Sequence, residues 1–167
     1  WSQTFGEGYW DFGKSIQQAS DGGYVIAGYV NGGIGGGDAY LLKVDEEGEE
    51  QWSQIFDFGI AESIQQTTDG GYIMTGYDSS DIYLLKTDEN GEQQWSQTFG
   101  GPGNDKAHCV QQTTDGGYII IGEDEEDVYN PGNDFWIANS DVYLIKTNEL
   151  GQEEWVQRFG EAGNDCG

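Results

Sequence analysis

A chain of 167 residues with 28 Gly and only 35% hydrophobic residues is no bundle of long buried helices, and no apolar run is long enough to cross a membrane as a helix. Its formal net charge of −25, from 31 acidic and 6 basic side chains, excludes nucleic acid and anionic headgroups as partners. An aromatic content of 14%, with six Trp and ten Tyr, separates it from acidic disordered chains and puts the charge on a folded object.

The chain opens on Trp1 rather than Met and shows no signal peptide, so we expect a processed chain or a fragment. Residues 1–6, Trp1-Ser2-Gln3-Thr4-Phe5-Gly6, read as the outermost strand of a unit that precedes the first full repeat. Residues 7–57 hold that repeat: Ser15-Ile16-Gln17-Gln18, Asp21-Gly22-Gly23-Tyr24, Asp38-Ala39-Tyr40-Leu41-Leu42-Lys43, then Trp52 and Phe56. Residues 58–100 repeat the phrase with Ser63-Ile64-Gln65-Gln66, Asp69-Gly70-Gly71-Tyr72, Asp81-Ile82-Tyr83-Leu84-Leu85-Lys86, Trp95 and Phe99. Residues 101–160 do so again with His108-Cys109-Val110-Gln111-Gln112, Asp115-Gly116-Gly117-Tyr118, Asp141-Val142-Tyr143-Leu144-Ile145-Lys146, Trp155 and Phe159. Residues 161–167, with Gly163-Asn164-Asp165, begin a further repeat or form a tail.

The Trp-to-Trp spacings of 51, 43 and 60 residues belong to propeller blades or to helical arrays. The periodic segments are four to seven residues long, β-branched and aromatic, and bounded by Gly, Asp and Asn, which is strand grammar. Each repeat holds four strands; in the second they are Ser63–Thr67, Tyr72–Tyr77, Ile82–Thr87 and Gln93–Phe99. Glycine is needed in the intervening turns because hairpin connections demand positive φ. Four-stranded antiparallel units in series bury both faces by stacking radially, with Tyr83 and Leu85 toward one neighbour and Ile82 and Leu84 toward the other. The expected fold is therefore all-β: three β-propeller blades plus an extra N-terminal outer strand, part of a larger propeller. Three blades leave two open edges, to be closed by further blades of the same chain or of another subunit.

The phrase Asp-Gly-Gly-Tyr, then Asp-x-Tyr-Leu-Leu-Lys, then an acidic turn with Gly resembles the β-propeller repeats of bacterial and archaeal secreted and cell-surface proteins. The resemblance covers nearly the whole chain. It implies a propeller and an extracellular or cell-surface location, and no particular activity. A looser likeness, carried by Asp45, Gly48 and Trp52 and their copies, is to the tryptophan-docking repeats of quinoprotein dehydrogenases.

Function is expected in the loops that vary between repeats. The link between the second and third strands is Asn31 through Gly37, then only Asp78-Ser79-Ser80, then a long loop from Glu123 to Ser140. Its Glu123, Asp124, Glu126, Asp127 and Asp134 form an oxygen-rich set that suits Ca²⁺, or else a solvated acidic loop. Phe135 and Trp136 read as a stacking platform for a sugar, or as a lid on the rim.

Gln17-Gln18, Gln65-Gln66 and Gln111-Gln112 recur on the innermost strand and are expected to satisfy its polar groups. Asp38, Asp81 and Asp141 are assigned loop hydrogen bonds, and Lys43, Lys86 and Lys146 pairing between blades, because a catalytic group is needed once and not three times. His108 and Cys109 are adjacent on a strand, so they point to opposite faces and read as part of a packed inner strand. Whether Cys109 and Cys166 pair is left open by their spacing. No nucleophile motif, phosphate loop or zinc signature is present. The expected function is a non-catalytic extracellular scaffold or recognition module that meets protein or glycan at its loop rim. The alternatives are a structural subunit closed by neighbouring chains, and part of a quinoprotein-like or polysaccharide-active propeller enzyme.

Overall fold

The computed structural model describes residues 2–6, 10–30, 37–130 and 135–160, with side chains described for all of these except 126–130 and 135–139. Among the described residues there are twelve strands and no helix. Sheet 1 is formed by β1 (Asp11–Gln18), β2 (Tyr24–Val30), β3 (Asp38–Val44) and β4 (Glu50–Phe56), in that spatial order. Sheet 2 is formed by β5 (Ile60–Gln66), β6 (Tyr72–Asp78), β7 (Asp81–Thr87) and β8 (Gln93–Phe99). Sheet 3 is formed by β9 (Lys106–Gln112), β10 (Tyr118–Asn130), β11 (Phe135–Thr147) and β12 (Glu153–Phe159). Every pairing is antiparallel.

The Asp-Gly-Gly turns follow from local chemistry. Gly22, Gly70 and Gly116 sit at φ +91°, +88° and +88°, where a Cβ is strained. The preceding aspartate closes each turn by accepting from the next glycine N–H: Asp21 from Gly23 at 3.0 Å, Asp69 from Gly71 at 3.1 Å, Asp115 from Gly117 at 3.0 Å.

The sheets pack face to face, and the two seams use the same positions. In the first, Val25, Leu41 and Phe56 of sheet 1 meet Ile64, Met74 and Leu85 of sheet 2. In the second, Ile73, Leu84 and Phe99 of sheet 2 meet Val110, Ile120 and Ile145 of sheet 3. Tyr83 and Leu85 thus face back, and Ile82 and Leu84 face forward, as strand alternation requires. The same aromatic pair recurs across both seams, Trp52 with Tyr72 and Trp95 with Tyr118, each at 5.8 Å between ring centroids. The first strands β1, β5 and β9 are neighbours in series.

The third repeat departs from expectation. The segment from Glu123 to Ser140 is not a loop over its described part: β10 and β11 run on as a paired ribbon from Glu123↔Val142 to Asn130↔Phe135. Its acidic run, Glu123 to Asp127, leads into Val128 and Tyr129, which pair with Ile137 and Trp136, four residues that favour strands. Composition suggested a loop where β propensity prevails.

Candidate functional site

The most regular polar constellation is a glutamine ladder along β1, β5 and β9. Gln17 Oε1 accepts the N–H of Gln66 at 2.5 Å, and Gln65 Oε1 accepts that of Gln112 at 2.6 Å. In return Gln66 Oε1 accepts the N–H of Ser20 at 2.8 Å, and Gln112 Oε1 that of Thr68 at 2.9 Å. Each second glutamine is pinned by donating to its own turn, Gln66 to Gly70 O at 3.2 Å and Gln112 to Gly116 O at 3.4 Å. Ser15 and Ser63 hydroxyl oxygens accept the N–H of Ile64 and Val110, both at 3.3 Å. The repeated glutamines therefore join first strands of successive sheets, which share no backbone ladder of their own.

At the other end of the same strands each sheet carries a β-bulge, falling at Lys14, Glu62 and His108. A bulge leaves one residue unpaired and re-aims its side chain. Lys14 reaches Glu62 at 3.0 Å and lies 5.8 Å from the Tyr29 ring centroid. The Glu62 carboxylate raises the Lys14 ammonium above its ordinary 10.5. His108 Nε2 and Lys106 Nζ both lie 3.7 Å from Glu123 Oε1, and Lys106 also stands over Tyr77. His108 and Cys109 are exposed rather than packed: His108 is the unpaired residue of the bulge, and Cys109 holds the place of Ser15 and Ser63, on the face of sheet 3 that no described sheet covers. Sequence reasoning missed this site. Its signal was present: Lys14, Glu62 and His108 differ at one position inside an otherwise repeated phrase.

Between sheets 2 and 3 lies a buried carboxylate pair. Asp105 donates its backbone N–H to Ser80 O at 2.8 Å and accepts the N–H of Gly101 on Oδ2 at 2.7 Å. Asp124 is buried and paired with Arg158, whose guanidinium covers the Tyr143 ring at 4.7 Å. Oδ1 of each aspartate has no hydrogen-bond partner. Burial pushes the Asp105 carboxyl up to about 6; the Gly101 N–H opposes this, and the Asp124 and Asp81 carboxylates add to it.

The expected calcium ligands do not converge where they are described. Glu123 and Asp124 are consecutive on β10, so one meets Lys106 and His108 while the other is turned inward to Arg158. Glu126 and Asp127 lie on the β10 backbone, but their side chains, like all of Asp134, are outside the described residues. Among the described residues no group of three His, Cys, Asp or Glu is arranged to hold a metal ion. Phe135 and Trp136 pair with Asn130 and Tyr129 in the ribbon, and their side chains are likewise outside the described residues. Cys166 is too.

The repeated lysines correct an expectation. They pair within their own sheet, with the aspartate of the Asp-Gly-Gly turn: Lys43 with Asp21 at 2.8 Å, Lys86 with Asp69 at 2.9 Å, Lys146 with Asp115 at 3.0 Å. The reason is the hairpin register, which sets the lysine of the third strand beside the turn that precedes the second.

No protein-family model matches the chain, and no curated protein matches it. What the fold and the ladder define is a class: over its described residues the chain is an all-β repeat protein, with three copies of one four-stranded antiparallel sheet. No closer relationship follows from these comparisons.

Proposed function

We propose that the three sheets are consecutive blades of a β-propeller. On this reading the chain is a non-catalytic scaffold or recognition module of a secreted or surface protein, and it meets its partner along the rim that bears the β10–β11 ribbon. The observation that carries the reading is the repeated seam: the same residues mate twice, with first strands side by side and joined by glutamines. Such serial mating uses both faces of every middle sheet, as radial stacking requires. The segment 2–6 supports it further. Gln3 Nε2 donates to Glu49 Oε1 at 2.8 Å, as Gln54 Nε2 donates to Glu92 Oε1 at 3.2 Å, so the segment lies on sheet 1 as β4 lies on sheet 2.

Recognition is assigned to the ribbon because it is the largest departure from the repeat, and departures on one rim of a repeat fold carry binding. Its Phe135 and Trp136 suit stacking on a sugar, and its acidic residues suit hydrogen bonds to hydroxyls. The test is an array of immobilised glycans probed with the chain and with a variant whose residues 125–139 are replaced by the Ser79-Ser80 link of sheet 2. Binding lost in the variant, with no glycan turned over, is expected. Equal binding by both proteins, or cleavage of any arrayed glycan, would sink the assignment.

A further inference from the structure

Among the described residues no neighbouring sheet covers the outer face of sheet 1 or of sheet 3, and these two faces are the halves of the seam that the chain already builds twice. On sheet 1, Ile16, Ile26 and Leu42 stand where Ile64, Met74 and Leu85 stand in the first seam, and of the three Leu42 is already buried, in the groove that Gln3, Thr4 and Phe5 border. Ile16 is 65% exposed, whereas Ile64 is 6% exposed. On sheet 3, Val142, Leu144 and Phe159 stand where Ile82, Leu84 and Phe99 stand in the second seam. Phe159 is 54% exposed, whereas Phe99 is 9% exposed.

The ends of the glutamine ladder match in the same sense. Gln111 holds the place of Gln17 and Gln65, which accept an N–H from the following sheet. Gln18 holds the place of Gln66 and Gln112, and its amide is already pinned to Gly22 O at 3.1 Å.

One segment stands in the way. Residues 1–6 repeat residues 95–100 letter for letter, Trp-Ser-Gln-Thr-Phe-Gly. Through Gln3 and Glu49 the described part of this segment borders a groove with Phe12, Ile16 and Ile26 on the open face of sheet 1. It takes the place that β12 of an incoming sheet 3 would need.

We propose that the open face of sheet 1 is the docking surface for sheet 3 of a second copy of this chain, and that residues 2–6 hold it shut against that copy. The proposal rests on the reading of the sheets as blades. The contact is head-to-tail, using different faces of the two copies, so two copies mated at both ends close into six sheets. Six lies within the four to eight of closed rings. Each copy carries a charge of −25, so the apolar docking works against repulsion and strengthens as salt screens it.

The test is sedimentation equilibrium in high salt, with the whole chain and with a variant lacking residues 1–6. The whole chain is expected near its 18.4 kDa and the shortened chain at twice that mass. In the shortened background, Ile16→Arg and Val142→Arg are each expected to abolish dimers, because every interface then has one spoiled half. Mixing the two restores association, since one interface regains two sound halves. A shortened chain that stays monomeric overturns the proposal. So does a dimer lost with Ile16→Arg but kept with Val142→Arg, which marks a like-face contact. Amide exchange at Ile64 and Val110 separates the two readings. Protection there with no dimer removes only the self-docking, whereas rapid exchange there removes the stacked blades as well.

Discussion

Lys86 is buried, and its ammonium is met by Asp69 at 2.9 Å, Thr87 O at 2.8 Å and Gln94 Oε1 at 3.3 Å. Three donors meet three acceptors, which is why a charge is tolerated there. Lys86→Met removes the donors and leaves the Asp69 carboxylate and Gln94 Oε1 without the ammonium they meet. A loss of about 1–3 kcal/mol is expected in urea unfolding, with an unchanged m-value. The aspartates of these pairs titrate below their ordinary 3.8. Asp115 falls to about 2 through the Thr113 hydroxyl first and Lys146 next. Their stabilisation is therefore present above pH 3.8 and fades as pH drops toward 2.

Asp105 has the opposite sign. Its folded value of about 6 lies above 3.8, so the native state binds a proton that the unfolded chain releases. Its contribution is full below pH 3.8 and is lost as pH rises through 6. Asp105→Asn keeps an acceptor for Gly101 and offers a donor to the orphaned Asp124 oxygen. The variant should be more stable at pH 7 by about 2–3 kcal/mol and lose the stability slope between pH 4 and 6. Equal slopes in the two proteins would show that Asp105 ionises without strain.

At the scale of elements, the strands are held by two devices that differ in how readable they are. The Asp-Gly-Gly-Tyr turns and the alternation of Tyr83, Leu84 and Leu85 are local, so the sequence displays them directly. The Lys86 partner is not local: it depends on which of the repeat's aspartates the hairpin register brings near. The bulge at His108 is hidden because an unpaired residue leaves no mark until β9 and β10 are aligned. The ribbon was concealed by its own charge, since five acidic residues from Glu123 to Asp127 resemble a loop while Val128, Tyr129, Trp136 and Ile137 act as strand. The glutamine ladder is open to test at this scale. Gln65→Ala leaves the Gln112 N–H without its acceptor, and a cost of about 1 kcal/mol is expected, together with faster exchange of that one amide.

For the whole molecule the seams matter more than any single sheet. Leu84 is fully buried between sheets 2 and 3, so Leu84→Ala should cost about 2–5 kcal/mol by chemical denaturation. The equivalent change at the open face, Leu144→Ala, should cost far less. Among the described sheets, sheet 2 alone is packed between two others. A stack of this kind obeys nearest-neighbour energetics, in which each unit is worth its own stability plus that of the boundaries it shares. The middle unit shares two boundaries and the outer units one each. The molecule should therefore peel rather than melt: a protease would trim it inward from its outer sheets, and the last fragment to survive would be the one centred on Tyr83.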